Sequence, residues 1–245
     1  MINAFLMMGQ SNMSGRGALD DLPPLESSHV LAFRDGEWEA AVEPVVRDRP
    51  FSGEGMGTSF GTTLHALTGA DIGLIPCSLG GSPLAMWLPG QELYEAALQS
   101  AISAMQSGAR IAGVLWHQGE ADSEHARDAH SYMQRFEPML ERLRAQLYDA
   151  AQDMGAPERA VQPLPVIVGE LGAYLDEFPD SRFHEVINAQ LHALAARDGR
   201  CECVLTSDLE HKGDRLHFSA RSQRMMGVRY ACAWMSAAKR LGIAI

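Results

Sequence analysis

The chain has 245 residues, 46% of them hydrophobic, with 20 basic against 31 acidic side chains and a formal charge of -11. Length and apolar content suit a single α/β domain with a sizeable core, expected to span residues 1–245. The acidic balance and the lack of any Lys/Arg run argue against nucleic acid or an anionic membrane as partner, and no apolar run approaches the roughly eighteen residues of a membrane span.

The first element is the apolar run Ile2–Met8, expected as a buried strand that stops at Gly9-Gln10-Ser11-Asn12-Met13. Such a strand presents the next side chains at the carboxyl edge of a sheet, where open α/β folds bind their ligands. Residues 14 to 55 then break the rhythm, punctuated by Gly15, Gly17, Pro23, Pro24, Gly36, Pro44, Pro50, Gly53 and Gly55. Within them Val30–Phe33, Asp35-Gly36 and Trp38 predict a small hairpin. So long an insertion inside one sheet is expected to face substrate. Further buried strands are expected at Ile72–Pro76, Ile111–His117, Pro165–Gly169 and Cys203–Thr206. Helical spacing lies between them, at Leu98, Ile102 and Met105, then at Phe136, Leu140, Leu143 and Leu147. It recurs at Phe183, Ile187, Leu191 and Leu194, and last at Met225, Val228, Cys232 and Met235. Pro138 is expected to kink its helical stretch or to open the second part of it. Alternating strands and helices, with near-continuous apolar strands, predict a parallel five-stranded sheet covered on both faces. Cys77, Cys201, Cys203 and Cys232 are too few for a disulfide framework and are expected as reduced thiols. The N-terminus lacks the basic start of a signal peptide, so the expected location is cytoplasmic.

Four segments carry chemistry. Ser11 is a candidate nucleophile, with a helix N-cap as the competing role. It does not fit the G-x-S-x-G elbow, because Met13 stands in the last glycine position. Asp214-Arg215-Leu216-His217 places a carboxylate three residues before an imidazole, so that the acid can hold Nδ1–H and leave Nε2 free as a base. Trp116-His117-Gln118-Gly119-Glu120-Ala121-Asp122 brings polar groups to the same sheet edge. There the Gln118 amide is a candidate oxyanion donor and Glu120 a candidate partner for Arg16. A metal set from His117, Glu120, Asp122 and His125 is a rival reading, but its spacing fits no familiar zinc signature and no metal is expected. Leu79-Gly80-Gly81-Ser82-Pro83 is either a flexible turn or a place where a backbone N–H can approach a substrate oxygen.

At these residues the chain resembles the SGNH hydrolase superfamily, and more closely its branch of sialate O-acetylesterases and acetyl xylan esterases. The resemblance lies in Gly9 to Met13 with Gly15-Arg16, Gly80-Gly81-Ser82 leading to Trp87, Trp116 to Glu120 with Asp122, and Asp214 to His217. The stretch from Gly36 to Pro44 is also similar. The resemblance implies a flavodoxin-like three-layer α/β/α sandwich with five parallel strands. It implies Ser11 as nucleophile, His217 as base and Asp214 as its orienter. Oxyanion donors would be the Ser11 block N–H, Gly81 or Gly80, and Gln118 in the place where the wider superfamily carries asparagine. Arg16, Trp38, Trp87 and Tyr94 are candidate substrate contacts, with Glu120 supporting the first loop. The expected activity is removal of O-acetyl groups from a carbohydrate, with no cofactor, and activity rising around or above the ordinary histidine pKa of about 6.5. The alternatives are an esterase for other small acyl esters and a carbohydrate-binding domain without catalysis.

Overall fold

A computed structural model of the chain describes residues 1–155 and 163–243. Its strands, in chain order, are β1 (Asn3–Gly9), β2 (Val30–Arg34), β3 (Glu37–Ala40), β4 (Ile72–Pro76), β5 (Arg110–His117), β6 (Val166–Gly169) and β7 (Cys201–Val204). They form one sheet in the order β3-β2-β4-β1-β5-β6-β7, parallel throughout except for β3. The segment β4-β1-β5-β6-β7 has the flavodoxin-like order 2-1-3-4-5.

The expected five strands are therefore present, and the hairpin raises the count to seven. It does not stand apart as a flap. Instead β2 lies parallel to β4, with Val30 opposite Ile72 and Ala32 opposite Leu74, and carries β3 at the sheet's edge. The last strand starts at Cys201 and ends at Val204, earlier than the apolar run suggested. All four cysteines are free thiols.

β1 shows why these strands read as continuous apolar runs. Ala4, Leu6 and Met8 pack on one face of the sheet, Phe5 and Met7 on the other, and both faces are covered. The helices are α1 (Ser11–Ser14), α2 (Gly57–Thr68), α3 (Glu92–Gln106), α4 (Ala126–His130), α5 (Tyr132–Asp153), α6 (His184–Arg197) and α7 (Ala220–Leu241). One layer is built on Leu98 and Ala101 of α3, Phe136, Leu140, Leu143 and Leu147 of α5, and Ile187 and Leu191 of α6. The opposite layer is built on Phe60 and Leu64 of α2 and on Met226, Tyr230 and Trp234 of α7. Pro138 lies inside α5, which runs on past it, and does not open a second helix. The α7 face expected from Met225, Val228, Cys232 and Met235 is the wrong one: Met225 is 43% exposed and Val228 37%. The inward face, at Met226, Tyr230 and Trp234, lies on roughly the opposite side of the helix. Among the described residues no helix is long and apolar enough to cross a membrane.

Candidate active site

The site forms where β1 and β5 end. Gly9 faces His117 across the β1–β5 pair at φ +136°, and a Cβ there would sit 2.1 Å from the His117 carbonyl oxygen. Only glycine lets the two strand ends come this close. The chain then turns at once into α1. Gln10, not Ser11, holds the N-cap position, and its carbonyl accepts from Met13 N (2.9 Å) and Ser14 N (2.9 Å). The N-cap role weighed for Ser11 is thus filled by its neighbour. The Ser11 hydroxyl is left for other chemistry, and its N–H, in the first turn, has no intrahelical acceptor.

The histidine arrives from the far end of the chain. His217 Nε2 lies 3.0 Å from Ser11 Oγ, and Nδ1 lies 2.7 Å from Asp214 Oδ2. Asp214 Oδ1 accepts from the backbone N–H of Leu216 (3.0 Å) and His217 (2.8 Å), so the Asp-x-x-His turn is self-supported. Lys212 N–H donates to the His217 carbonyl, and Ser219 caps α7 by accepting from Ser222 N. The loop therefore enters the helix at a fixed point. Burial works to raise the Asp214 pKa, but the His217 and Leu216 N–H groups and the imidazole outweigh it and hold it at about 2. For His217, burial disfavours the imidazolium and outweighs the support of Asp214, so its pKa falls below the ordinary value. This reverses the expected direction. Nε2 is a free base at neutral pH, with Nδ1–H donated to the carboxylate.

Asn12, to which the sequence reading assigned no role, ties this loop to the rest of the site. Its Nδ2 donates to Glu120 Oε1 (2.5 Å) and to the Leu216 carbonyl (3.1 Å), and its Oδ1 accepts from Phe218 N (3.1 Å). The residues on either side of His217 are thus held by the residue next to Ser11. No motif spacing signals this, because the contact spans more than two hundred positions.

The two glycines after β4 have different fates. Gly80 N–H is taken by Asp48 Oδ2 at 2.7 Å, while Gly81 N–H donates to nothing among the described residues. Gly81 has φ +80° and no atom within 4 Å of where a Cβ would stand. Asp48 also forms a bidentate, buried pair with Arg16 (2.7 and 3.1 Å). The expected Arg16–Glu120 pair is therefore replaced by Arg16–Asp48, a partner hidden in the irregular insertion. Gln118 is also placed differently from expectation. It is fully buried, its Nε2 donates to Asp122 Oδ2 (2.7 Å), the Ser82 carbonyl (3.1 Å) and Gln10 Oε1 (3.2 Å), and its Oε1 accepts from Tyr132 (2.8 Å). It braces three loops and does not reach the cleft.

Ser11 and His217 open on a cleft of about 320 Å³, bordered by Gly81, Arg49, Phe51, Glu120, Phe178 and Asp180. The volume is near the lower end of small-molecule sites, roughly 300–1,000 Å³. The insertion faces it as expected, through Arg49 and Phe51. The aromatic candidates do not. Trp38 packs on Phe33 and donates to Ser107, far along the sheet edge. Trp87 is fully buried against Trp116 and donates to Ser82 Oγ (3.0 Å), and Tyr94 is buried with its hydroxyl on Gln146. The rival metal set is not gathered either. Asp122 faces Leu84 N, Gln118 and Arg135, and His125 is exposed beside Glu124. His117 and Glu120 are buried together with Nε2 and Oε1 3.7 Å apart; burial lowers His117 to about 3 and raises Glu120 to about 7. Near pH 7 the His117 imidazole is therefore neutral and Glu120 is divided between its two forms, burial favouring the uncharged one.

The chain is similar along nearly its whole length to known proteins. The family model of carbohydrate esterases described as sialic acid-specific acetylesterase matches residues 1–236. A probable carbohydrate esterase of Arabidopsis thaliana is 28% identical over 253 residues, covering 95% of this chain and 90% of the relative. An X-ray structure of an Arabidopsis thaliana protein superposes with a TM-score of 0.81 at 27% identity, covering 96% of this chain and 98% of that one. The crystal structure of NanS shares the fold, with a TM-score of 0.77 at 16% identity over 97% of this chain and 98% of its own.

Proposed function

The chain belongs to the sialic acid-specific acetylesterase family of carbohydrate esterases, and from that footing we propose that it removes O-acetyl groups from a carbohydrate through an acyl-enzyme on Ser11. The observation that carries the reading is the continuous relay Asp214–His217–Ser11, with links of 2.7 and 3.0 Å, beside two N–H groups without acceptors among the described residues. His217 Nε2 takes the hydroxyl proton as Ser11 Oγ attacks the acetyl carbonyl. The charge that develops on the carbonyl oxygen is met by the N–H groups of Ser11 and Gly81. Asp214 keeps the imidazole in the right tautomer and stabilises the imidazolium. The sugar oxygen leaves with the proton from His217. Water, activated by the same base, then attacks the acetyl-enzyme and releases acetate. The cleft of about 320 Å³, lined by Phe51, Phe178 and Arg49 beside Ser11 and His217, has room for an acetyl group with part of its sugar.

Acetate release should be measured on acetylated sialic acid, acetylated xylan and acetylated simple sugars, with p-nitrophenyl acetate, butyrate and octanoate alongside. The acetyl esters are expected to be cleaved fastest. Ser11→Ala should lower kcat by roughly 10⁶-fold, the loss known for a nucleophile in a serine hydrolase. A folded Ser11→Ala protein with near wild-type turnover, or a preference for octanoate, would overturn the reading.

A further inference from the structure

We propose that Asp176, His184 and Glu185 form a site for a divalent transition-metal ion of the zinc class, one that fastens a wall of the cleft and takes no part in the acyl transfer. The three stand outside the relay, where the 3-10 turn Ala173–Glu177 meets the start of α6. His184 opens α6, is 4% exposed and lines a cavity of about 280 Å³ with Asp176 and Arg182. Its Nδ1 lies 2.8 Å from the Ser181 carbonyl. A carbonyl can only accept, so Nδ1 carries the proton and the neutral ring keeps its lone pair on Nε2. Metal-binding histidines are held in this way, with a backbone carbonyl on the other ring nitrogen. Nε2 faces Asp176 Oδ1 at 3.5 Å. That is longer than the roughly 2.7–3.2 Å of an N–H···O bond. Zinc bonds of about 2.0–2.1 Å at tetrahedral angles set neighbouring ligand atoms roughly 3.3–3.4 Å apart. The spacing is thus close to that of two ligands on one ion. Glu185 supplies a third, since one ligand atom from each of the three residues lies within 4.8 Å of the others. One imidazole and two carboxylates are donors that zinc accepts, with a fourth position left to water. The two carboxylates also outnumber the one guanidinium lining the cavity, that of Arg182.

The place of the site gives the ion its task. The turn leads into Phe178 and Asp180, which border the cleft, and Glu177 pairs with Arg215 (3.2 Å) inside the Asp214–His217 turn. The start of α6 is itself anchored, by Phe183 N–H on the Ser123 carbonyl (2.9 Å). An ion joining Asp176 to His184 and Glu185 ties this cleft wall to that anchored helix. A second cluster of similar composition, His29, His65 and Asp71, lies beside the amino ends of β2 and β4. There His29 Nδ1 holds Asp71 at 2.8 Å, and the two rings stack 4.2 Å apart and 6° from parallel. Imidazole lone pairs lie in the ring plane, so two rings stacked in this way cannot both point at one ion. It serves as the control.

The test is calorimetric titration of the chelator-stripped protein with zinc chloride, for wild type, His184→Ala, Asp176→Ala and His29→Ala, with thermal melting to confirm that each is folded. Wild type is expected to bind one ion with a micromolar Kd. His184→Ala should weaken binding by more than about 100-fold, past the 10–100-fold that loss of an outer-shell partner costs. The Asp176 side chain is 70% exposed, so Asp176→Ala should leave the fold intact, and it carries the test should His184→Ala fold poorly. It is expected to weaken binding by at least about tenfold. His29→Ala should bind zinc as wild type does. Turnover of p-nitrophenyl acetate by wild type should survive chelation, because none of the three ligands borders the cleft with Ser11 and His217. No heat of binding up to millimolar zinc, binding that persists undiminished in either folded site variant, or binding lost in His29→Ala overturns the site. A kcat that collapses on chelation overturns the bracing role.

Discussion

Removing the Asn12 side chain tests whether the site is held together as the contacts suggest. Among the described residues, Asn12→Ala leaves the buried Phe218 N–H without an acceptor and strips Glu120 of its one side-chain donor, while the Leu216 carbonyl keeps only the Tyr174 hydroxyl at 3.4 Å. A buried polar group left unmatched costs about 1–3 kcal/mol. Two such groups give a loss of about 2–5 kcal/mol, with Glu120 reducing its share by taking up a proton once the Asn12 hydrogen bond, which favours its charged form, is gone. At about 2–4 °C per kcal/mol for a chain of this size, the melting temperature should fall by roughly 5–15 °C. Activity should fall as well, because Leu216 and Phe218 flank His217. A base displaced by about 1 Å costs on the order of 10²-fold, expected in kcat with KM little changed, since Asn12 does not border the cleft. Calorimetry or circular dichroism melting and p-nitrophenyl acetate kinetics on the same preparation check both halves. A variant that melts within about 2 °C of wild type and keeps kcat within threefold would refute the reasoning.

Two further outcomes follow from the relay. Asp214→Asn should lower kcat by roughly 10⁴-fold, as in the comparable case where the wrong histidine tautomer results, and a loss below tenfold would show that Asp214 does not orient His217. The pH profile of kcat/KM should rise as His217 loses its proton, with a midpoint below the ordinary value of about 6.5, because burial lowers this imidazole by more than Asp214 raises it. The sign is fixed by the role: the protonated form is inactive, so activity is present above the folded pKa and lost as pH falls through it. A midpoint above 6.5 would contradict the burial argument.

The parts of this architecture that the sequence shows plainly are those where one physical signal dominates. β1, β4, β5 and β6 read as apolar runs because both faces of the sheet are covered. Asp35-Gly36 betrays the β2–β3 hairpin because a tight turn needs such residues, Asp35 at φ +49° and Gly36 at φ +87°. Ser11 is legible because polar residues halt a buried strand, and Asp214 and His217 because a carboxylate three residues before an imidazole can hold it. Helix α2 was missed for the converse reason. Its inward side is Gly57, Thr58, Ser59 and Gly61 with Phe60 and Leu64, small residues that give no apolar period. They are small because α7 comes close: a Cβ on Gly227 would lie 2.0 Å from Ser59 Oγ. The face of α7 was misjudged because its methionines lie both inward and outward, so only Tyr230 and Trp234 mark the core. Trp38, Trp87 and Tyr94, expected as substrate contacts, each give their polar atom to a partner within the protein, Ser107, Ser82 and Gln146. Asp48 and the bracing role of Gln118 depend on contacts between distant loops, which no local spacing encodes.

Ser11 and His217, 3.0 Å apart in space, are 206 positions apart in the chain. Closing a loop of that length costs about 4–5 kcal/mol of chain entropy, which no short-range contact repays. The central strand has the same difficulty on a smaller scale, since Asn3 must wait for Ile72 on one side and Arg110 on the other. Folding of such a non-local topology is expected to be slow, with segments made first held back until later ones arrive. The layer of α3, α5 and α6 can collapse on its part of the sheet before α7 docks, and such an intermediate would have helices and a core but no base beside its serine. Recovery of turnover after refolding therefore times the docking of the final helix, whereas circular dichroism times the sheet and the earlier helices.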